Sequence, residues 1–325
     1  MGALHGFVDP KCWKPPVSLS LRVHLPQGRR NLLLGKFALL HHNPSWVGGL
    51  LGYRIFPFPE KGVMLDLLLN RFRWKYRRTV SALLCRRPVE MVNTVPVISF
   101  TFDDFPRSSL EVGGKILRAH GVAGTYYVSL GLLNRDEPTG RICSSADLIE
   151  VLAQGHELGC HTFGHCDAWE TDSISFEESI MANQLALKQV LPKTDFMTMS
   201  YPISMPRPDT KRRTGQQFAA CRGGGQKFNL GTIDLNYLQA FYLEQSRDAP
   251  DAIWEMIDRN RVAGGWLIFA THDVTPRPTR FGCTPEFFDE VVNRAVKSGA
   301  SILPVAKALS LACGQNVSSS PVTSR

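Results

Sequence analysis

Two short apolar runs and one further strand-like segment, far apart in the chain, each end on side chains that can do chemistry. Residues 95–101 run into Asp103-Asp104, residues 157–160 into His161, and residues 266–270 into Thr271-His272-Asp273. The first and last are rich in β-branched and aromatic residues without polar alternation, which suits strands buried on both faces. Such strands need helices on either side. Segments of helical spacing lie between them, so the chain is restricted to an α/β architecture with a largely parallel sheet, open or closed into a barrel.

The remaining elements fit that alternation. Strands are expected at residues 122–129, 196–201, 218–221 and 301–304 as well. A capping box from Ser108 to Glu111 opens a helix through Val112, Ile116 and Leu117 that Gly121 stops. Ser144 or Ser145 caps the next, which runs through Leu148 and Leu152 to Gly155. Ser175 and Glu178 repeat the box for a helix ending near Pro192, and further helices are expected at 250–262 and 285–298.

Charge separates the chain into parts. The net charge is +8, but residues 1–94 carry +11 and residues 95–325 carry −3. The expected organisation is a basic, proline-containing extension over 1–94, a catalytic domain over 95–311 and a disordered tail over 312–325, with an Asn-x-Ser sequon at Asn316. From Arg71 to Arg87 there are seven basic residues and no acid, interleaved with Phe72, Trp74, Tyr76 and Leu83. This stretch reads either as an amphipathic helix with weak membrane-surface contact or as a solvated arm. No nucleic-acid partner is expected, because the basic character does not extend to the candidate site.

The eight cysteines fall at irregular spacings without a C-x-x-C pair, which argues against a zinc ribbon or a disulfide framework. No apolar run reaches the roughly 20 residues of a membrane span, and the first residues do not form a signal peptide. The chain therefore reads as cytoplasmic or peripheral to the membrane; its oligomeric state is not encoded in any pattern.

His161 and His165, separated by three residues, make a metal-binding pair. Two imidazoles and one carboxylate leave positions open on a divalent ion, as hydrolytic chemistry requires. A carboxylate outside that set can take a proton from water, and a protonated histidine can give one to a leaving nitrogen. Loops that follow parallel strands converge on one face, which makes Asp103, Asp104, His161, His165 and His272 one candidate constellation.

The motifs are also specific. Thr101-Phe102-Asp103-Asp104, then 155–165 (GHELGCHTFGH), and Leu267 to Asp273 resemble the first, second and last motifs of the polysaccharide deacetylases, the NodB-homology domain of carbohydrate esterase family four. The resemblance implies a distorted (β/α) barrel with fewer than eight regular strands. It implies Asp103 as catalytic base, Asp104, His161 and His165 as ligands of Zn²⁺ (or Co²⁺ or Ni²⁺), and His272 as general acid. Asp234 is similar to the acidic residue that tunes this histidine. Tyr201 and Ile203 match positions at the substrate and the oxyanion.

The implied activity is removal of N-acetyl groups from a carbohydrate containing N-acetylglucosamine: a chitooligosaccharide, peptidoglycan or an exopolysaccharide. The chain departs from the family in two places. Phe105-Pro106 follow the first motif where Gly is usual, and Ser200 stands where the third motif has Arg, with Arg207 or Arg222 as substitutes from a neighbouring loop. These departures keep two alternatives open: an amide hydrolase acting on a small cyclic or polyamine-type substrate, and a non-catalytic glycan-binding protein.

Overall fold

The structure is a computed structural model that describes residues 61–203 and 205–314. The readings made for residues 1–60 and for the tail, the Asn316 sequon included, lie outside the described residues. In chain order the elements are α1 (Lys61–Leu83), β1 (Pro88–Glu90) and β2 (Val97–Phe102). A π-helical turn (Ser109–Gly114) leads into α2 (Lys115–Ala119), followed by β3 (Thr125–Val128), β4 (Asp136–Glu137) and β5 (Gly140–Arg141). Then come α3 (Ser145–Ala153), β6 (Glu157–Cys160), α4 (Ser173–Val190), β7 (Thr198–Ser200), α5 (Pro208–Gln217) and β8 (Ala220–Arg222). The rest is β9 (Thr232–Asp234), β10 (Phe241–Tyr242), α6 (Asp251–Ala263), β11 (Trp266–Thr271), α7 (Pro285–Lys297), β12 (Ser301–Ile302) and α8 (Val305–Cys313).

Seven strands form a continuous path, β10-β11-β2-β3-β6-β7-β8, with every pairing parallel. Short β12 pairs with the first half of β2, leaving the second half of that edge to β3. Between β8 and β10 the described residues make only a bridge, Arg222 to Leu238, so the sheet is a half-barrel with helices outside it. This is the distorted (β/α) barrel expected. Every residue of β2 and of β11 is buried, as strands covered on both faces should be. Trp266 is fully buried and donates through Nε1 to Ser99 Oγ at 3.0 Å, so it lines no groove. Burying a ring of that size contributes on the order of 4–6 kcal/mol as an upper estimate. Gly159 is needed in β6, since a Cβ there would stand 2.3 Å from the ring of Tyr127 on neighbouring β3.

Several local expectations are corrected. Ser108 makes no side-chain cap; Ser109 Oγ instead donates to Pro106 O at 2.6 Å, and a π-helical turn replaces the boxed start. Glu111 pairs with Arg107. Helix α4 begins two residues before Ser175, because Asp172 accepts from the Ile174 and Ser175 N–H groups and forms the cap. Ser144 caps α3 with Asp147 in a full capping box. His120 is the C-cap residue of α2, with its ring facing Asp289 at 2.9 Å, and His156 Nδ1 accepts from Gly124 N–H at 3.0 Å.

The chain divides into two compact units, and the boundary is not at residue 94. Of the unit spanning 14–72 only the first part of α1 is described, whereas everything from Arg73 onward belongs with the barrel. The reason is pairing that the sequence does not announce. β1 pairs antiparallel with β9, Ser81 is buried and donates to Pro206 O, and Lys211 Nζ donates to the carbonyls of Ser81 and Leu84 at 2.6 and 2.9 Å. Helix α1 exposes Leu69, Phe72, Tyr76 and Leu83, which helical spacing places along one stripe. No helix among the described residues is long and apolar enough to cross a membrane.

Candidate metal centre and active site

Because the strands are parallel, the ends of β2, β6, β7, β8 and β11 face the same side. Asp103-Asp104 leave β2, His161 leaves β6, Tyr201 leaves β7, Arg222 ends β8 and His272 leaves β11. The backbone at these ends is strained. Of the eight described non-glycine residues with positive φ, five are Asp104, Phe105, Thr162, His165 and Ile203, with φ between 49° and 61°. L-residues rarely adopt this conformation, and such outliers concentrate at functional loops.

Asp104, His161 and His165 come together: one ligand atom from each lies within 4.8 Å of the others. Asp104 Oδ1 is 3.4 Å from His161 Nε2 and 3.0 Å from His165 Nε2. It is buried with no hydrogen-bond donor aligned on it, while Oδ2 accepts from Thr139 Oγ1 at 3.0 Å. His161 Nδ1 faces Ser200 O at 2.8 Å. A carbonyl only accepts, so Nδ1 carries the proton and Nε2 presents its lone pair. Burial would raise the Asp104 carboxyl, but the imidazoles, His165 foremost, outweigh it and hold it well below its ordinary value. Burial would likewise lower His165, and Asp104 overrides it upward. A field that draws a proton onto His165 also draws a divalent cation. The orphaned carboxylate oxygen, the oriented imidazole and this field all fit a metal site of the Asp/His/His type.

Cys160 and Cys166 flank the pair without joining it. Asn183 Nδ2 donates to Cys160 Sγ at 3.3 Å, Cys166 Sγ lies 3.4 Å from Ser179 Oγ, and both thiols are buried.

Beside the three ligand positions, Asp103 is buried and ion-paired with Arg222 through Nη2 and Oδ1. Burial would raise this carboxyl; Arg222 first, then His161 and His272, hold it below its ordinary value instead. The same Nη2 donates to Ser200 Oγ, and Nη1 donates to Gly223 O at 2.8 Å. Arg222 thus occupies the place next to Asp103, entering from a strand rather than a loop. Arg207 does not: its guanidinium donates to the carbonyls of Trp169 and Glu170.

Two expected residues are not brought to the site. Asp234 is taken up elsewhere: Oδ1 accepts from the Arg87 and Asn236 N–H groups at 2.9 and 3.0 Å, and Oδ2 from Lys211 Nζ at 2.6 Å. Tyr201 points its hydroxyl into the core, donating to Asn236 O at 3.2 Å, and its N–H is spent on Arg222 O. Ile203 is exposed, and its N–H bonds to no described residue. His272 Nδ1 faces Phe281 O at 3.2 Å, and Asp273 is structural, gripping Thr279 N and Oγ1 in the following turn. Thr139, Phe281 and the carbonyl of Ser200 were not singled out by sequence. Their roles come from backbone geometry or long-range contact, for which no local signal exists.

Fold and site together define a NodB-type half-barrel with its polar residues at the strand ends. Residues 92–218 match the model of the polysaccharide deacetylase family. No curated protein matches the chain. Among solved structures, a mutant of BA3943, a CE4 family pseudoenzyme of Bacillus anthracis, is similar at TM-score 0.50 and 12% identity, covering 70% of this chain and 72% of that one. A family 4 acetyl xylan esterase from Clostridium thermocellum, solved with a cobalt ion, gives 0.45 at 19% identity, covering 66% and 91%. The peptidoglycan deacetylase PdaC of Bacillus subtilis gives 0.45 at 14% identity, covering 67% and 92%. At such identities the likeness concerns the fold alone.

Proposed function

We propose that the domain is a metal-dependent hydrolase that removes N-acetyl groups from an oligo- or polysaccharide containing N-acetylglucosamine. The observation that carries this reading is the juxtaposition of Asp103, held by Arg222, with the orphaned Asp104 oxygen between His161 and His165. A divalent cation held by Asp104, His161 and His165, Zn²⁺ or else Co²⁺ or Ni²⁺, would supply Lewis acidity toward water and the acetyl carbonyl.

The chain's own residues divide the proton work. Asp103 accepts a proton from water as the oxygen adds to the acyl carbon. Arg222 fixes the carboxylate's orientation and keeps it ionised. His272, with Nδ1–H directed at Phe281 O, turns Nε2 toward the site and delivers a proton to the nitrogen as the C–N bond breaks. Ile203 N–H is the donor available for the developing oxyanion. The products are acetate and a free amine, and one water is consumed.

Acetate release from chitin oligomers, peptidoglycan and exopolysaccharide by the metal-loaded protein tests the reading. Release from none of them, with metal bound at one per chain, would remove it. The exposed stripe of α1, with Arg73 on one flank and Lys75 on the other, is proposed as a weak contact for an anionic membrane surface. Failure of the protein to co-sediment with vesicles containing phosphatidylserine would rule that out.

A further inference from the structure

Arg207 is spent away from Asp103, yet it joins the two loops that carry site residues. One loop leaves β6 with His161 and His165. The other leaves β7 with Tyr201 and Ile203 and ends where Arg207 forms the N-cap of α5. From that cap the arginine serves three successive carbonyls of the first loop. Its backbone N–H donates to Ala168 O at 3.2 Å, Nε to Trp169 O, and Nη2 to Glu170 O at 2.8 Å. A planar guanidinium presents its donors in a fixed fork, so this contact sets the loop's orientation as well as its distance.

Helix α1 grips the same junction from outside. The Tyr76 ring meets the Trp169 indole edge-on with centroids 6.1 Å apart, and the Arg77 guanidinium carbon lies 5.2 Å from the indole centre. Arg77 Nη2 also pairs with Glu170. An exposed ion pair alone counts for little; stacking on the indole adds an attraction that does not depend on it. One turn further on, Ser81 Oγ donates to Pro206 O at 2.5 Å, so the helix holds the second loop too. These residues lie in the part of α1 that belongs with the barrel, ahead of the residues that match the family model.

The loops need such support because their backbone is strained: Thr162, His165 and Ile203 have φ between 55° and 61°. Conformations of this kind persist only where the surroundings over-determine them. The first half of the β6 loop is fastened to α4, through Phe163 N–H to Ser179 O at 3.0 Å. Its second half, beyond His165, is fastened by Arg207 and α1. We propose that Arg207 and Arg77 are positioning residues of His165: by holding residues 168–170 they keep its imidazole against Asp104, 3.0 Å away. That this imidazole serves a metal rests on the deacetylase reading; the bracing of the loop does not.

Hydrogen–deuterium exchange in the metal-free protein reads the brace directly. The amides of Cys166, Trp169, Glu170 and Thr171 are bonded within the loop. They are expected to exchange about tenfold faster in R207A than in the wild type and about threefold faster in R77A, a surface change that spares the fold, with β2 and β11 unaltered. Wild-type exchange of the loop in both variants overturns the proposal, whether or not the protein hydrolyses any glycan. Zinc affinity, measured by competition with a chromogenic chelator, separates positioning from a purely structural role. R77A is expected to bind zinc about fivefold more weakly and R77K to recover most of that. K75A, which removes the same charge from an exposed position two residues earlier, is expected to bind as the wild type does. R77A binding zinc as tightly as the wild type, or K75A losing as much as R77A, overturns the role of Arg77. A wild type that takes up no zinc counts against the metal reading alone, and the exchange result then decides the brace.

Discussion

Arg222, at the end of β8, and Asp103, just past β2, form an ion pair in which the guanidinium is fully buried. Ser200 stands directly opposite Arg222 in the β7–β8 register and accepts from the same nitrogen. The third-motif position is thus occupied by a serine that receives the arginine rather than by the arginine itself. Its head is also enclosed by rings: the guanidinium carbon lies 5.1 Å from the Tyr127 ring centre and 5.8 Å from that of Tyr242.

Removing one partner of a buried ion pair leaves the other charge uncompensated. Arg222→Met is therefore expected to cost about 3–5 kcal/mol of stability, read as a lowered midpoint in urea denaturation, and to abolish acetate release. A stability within about 1 kcal/mol of wild type would show that the pair is not a structural element.

Since Ser200 and Arg222 face each other across one register position, the arginine should work from either strand. Arg222→Ser is expected to lose activity, and Ser200→Arg added to it to recover at least part. A double variant no more active than the single one would show that the β8 position alone can present the guanidinium to Asp103.

How far the sequence carried the reading depends on whether the controlling contact was local. β2 and β11 were legible because strands buried on both faces are written as continuous apolar runs. The candidate metal set was legible because two of its three members share one five-residue stretch and the third follows a strand. Helix α5 was not, since its buried positions are Thr210, Lys211, Thr214 and Gly215 rather than an apolar stripe. Asp234 was misplaced for a related reason: its partner Lys211 lies 23 residues away in that unrecognised helix. Arg222 was legible only as one of two substitutes, because burial opposite Asp103 is a property of strand order.

The Thr139 hydroxyl is the hydrogen-bond donor to Asp104 Oδ2, so it orients the oxygen that faces the histidines. Thr139→Val is expected to weaken zinc binding by about 10–100-fold, as loss of such supporting contacts does, measured by competition with a chromogenic chelator. Unchanged affinity would mean that Asp104 is held by its strained backbone alone.

His156 gives the fold a pH dependence. It is buried, its Nε2 has no partner, and burial with Arg118 nearby lowers it from 6.5 to about 4. Between those values the unfolded chain binds a proton that the folded chain refuses. Stability therefore falls as pH drops from 6.5 toward 4, by on the order of 2 kcal/mol, and is flat above 7. Urea denaturation at pH 7 and pH 4.5 measures this. In His156→Asn, whose side-chain oxygen can still accept from Gly124, the difference should shrink by most of that amount. An equal pH response in both proteins would assign it to other groups.

The central claim is that Asp103 acts on substrate beside a metal held by its neighbours. The most direct measurement is acetate release from N-acetylglucosamine oligomers by zinc-loaded wild type and Asp103→Asn, with bound zinc counted in the same samples. The account predicts release by the wild type and a loss of about 100-fold or more in the variant, with zinc retained at one per chain. Equal rates in the two proteins, or no release by a wild type carrying its zinc, would contradict it.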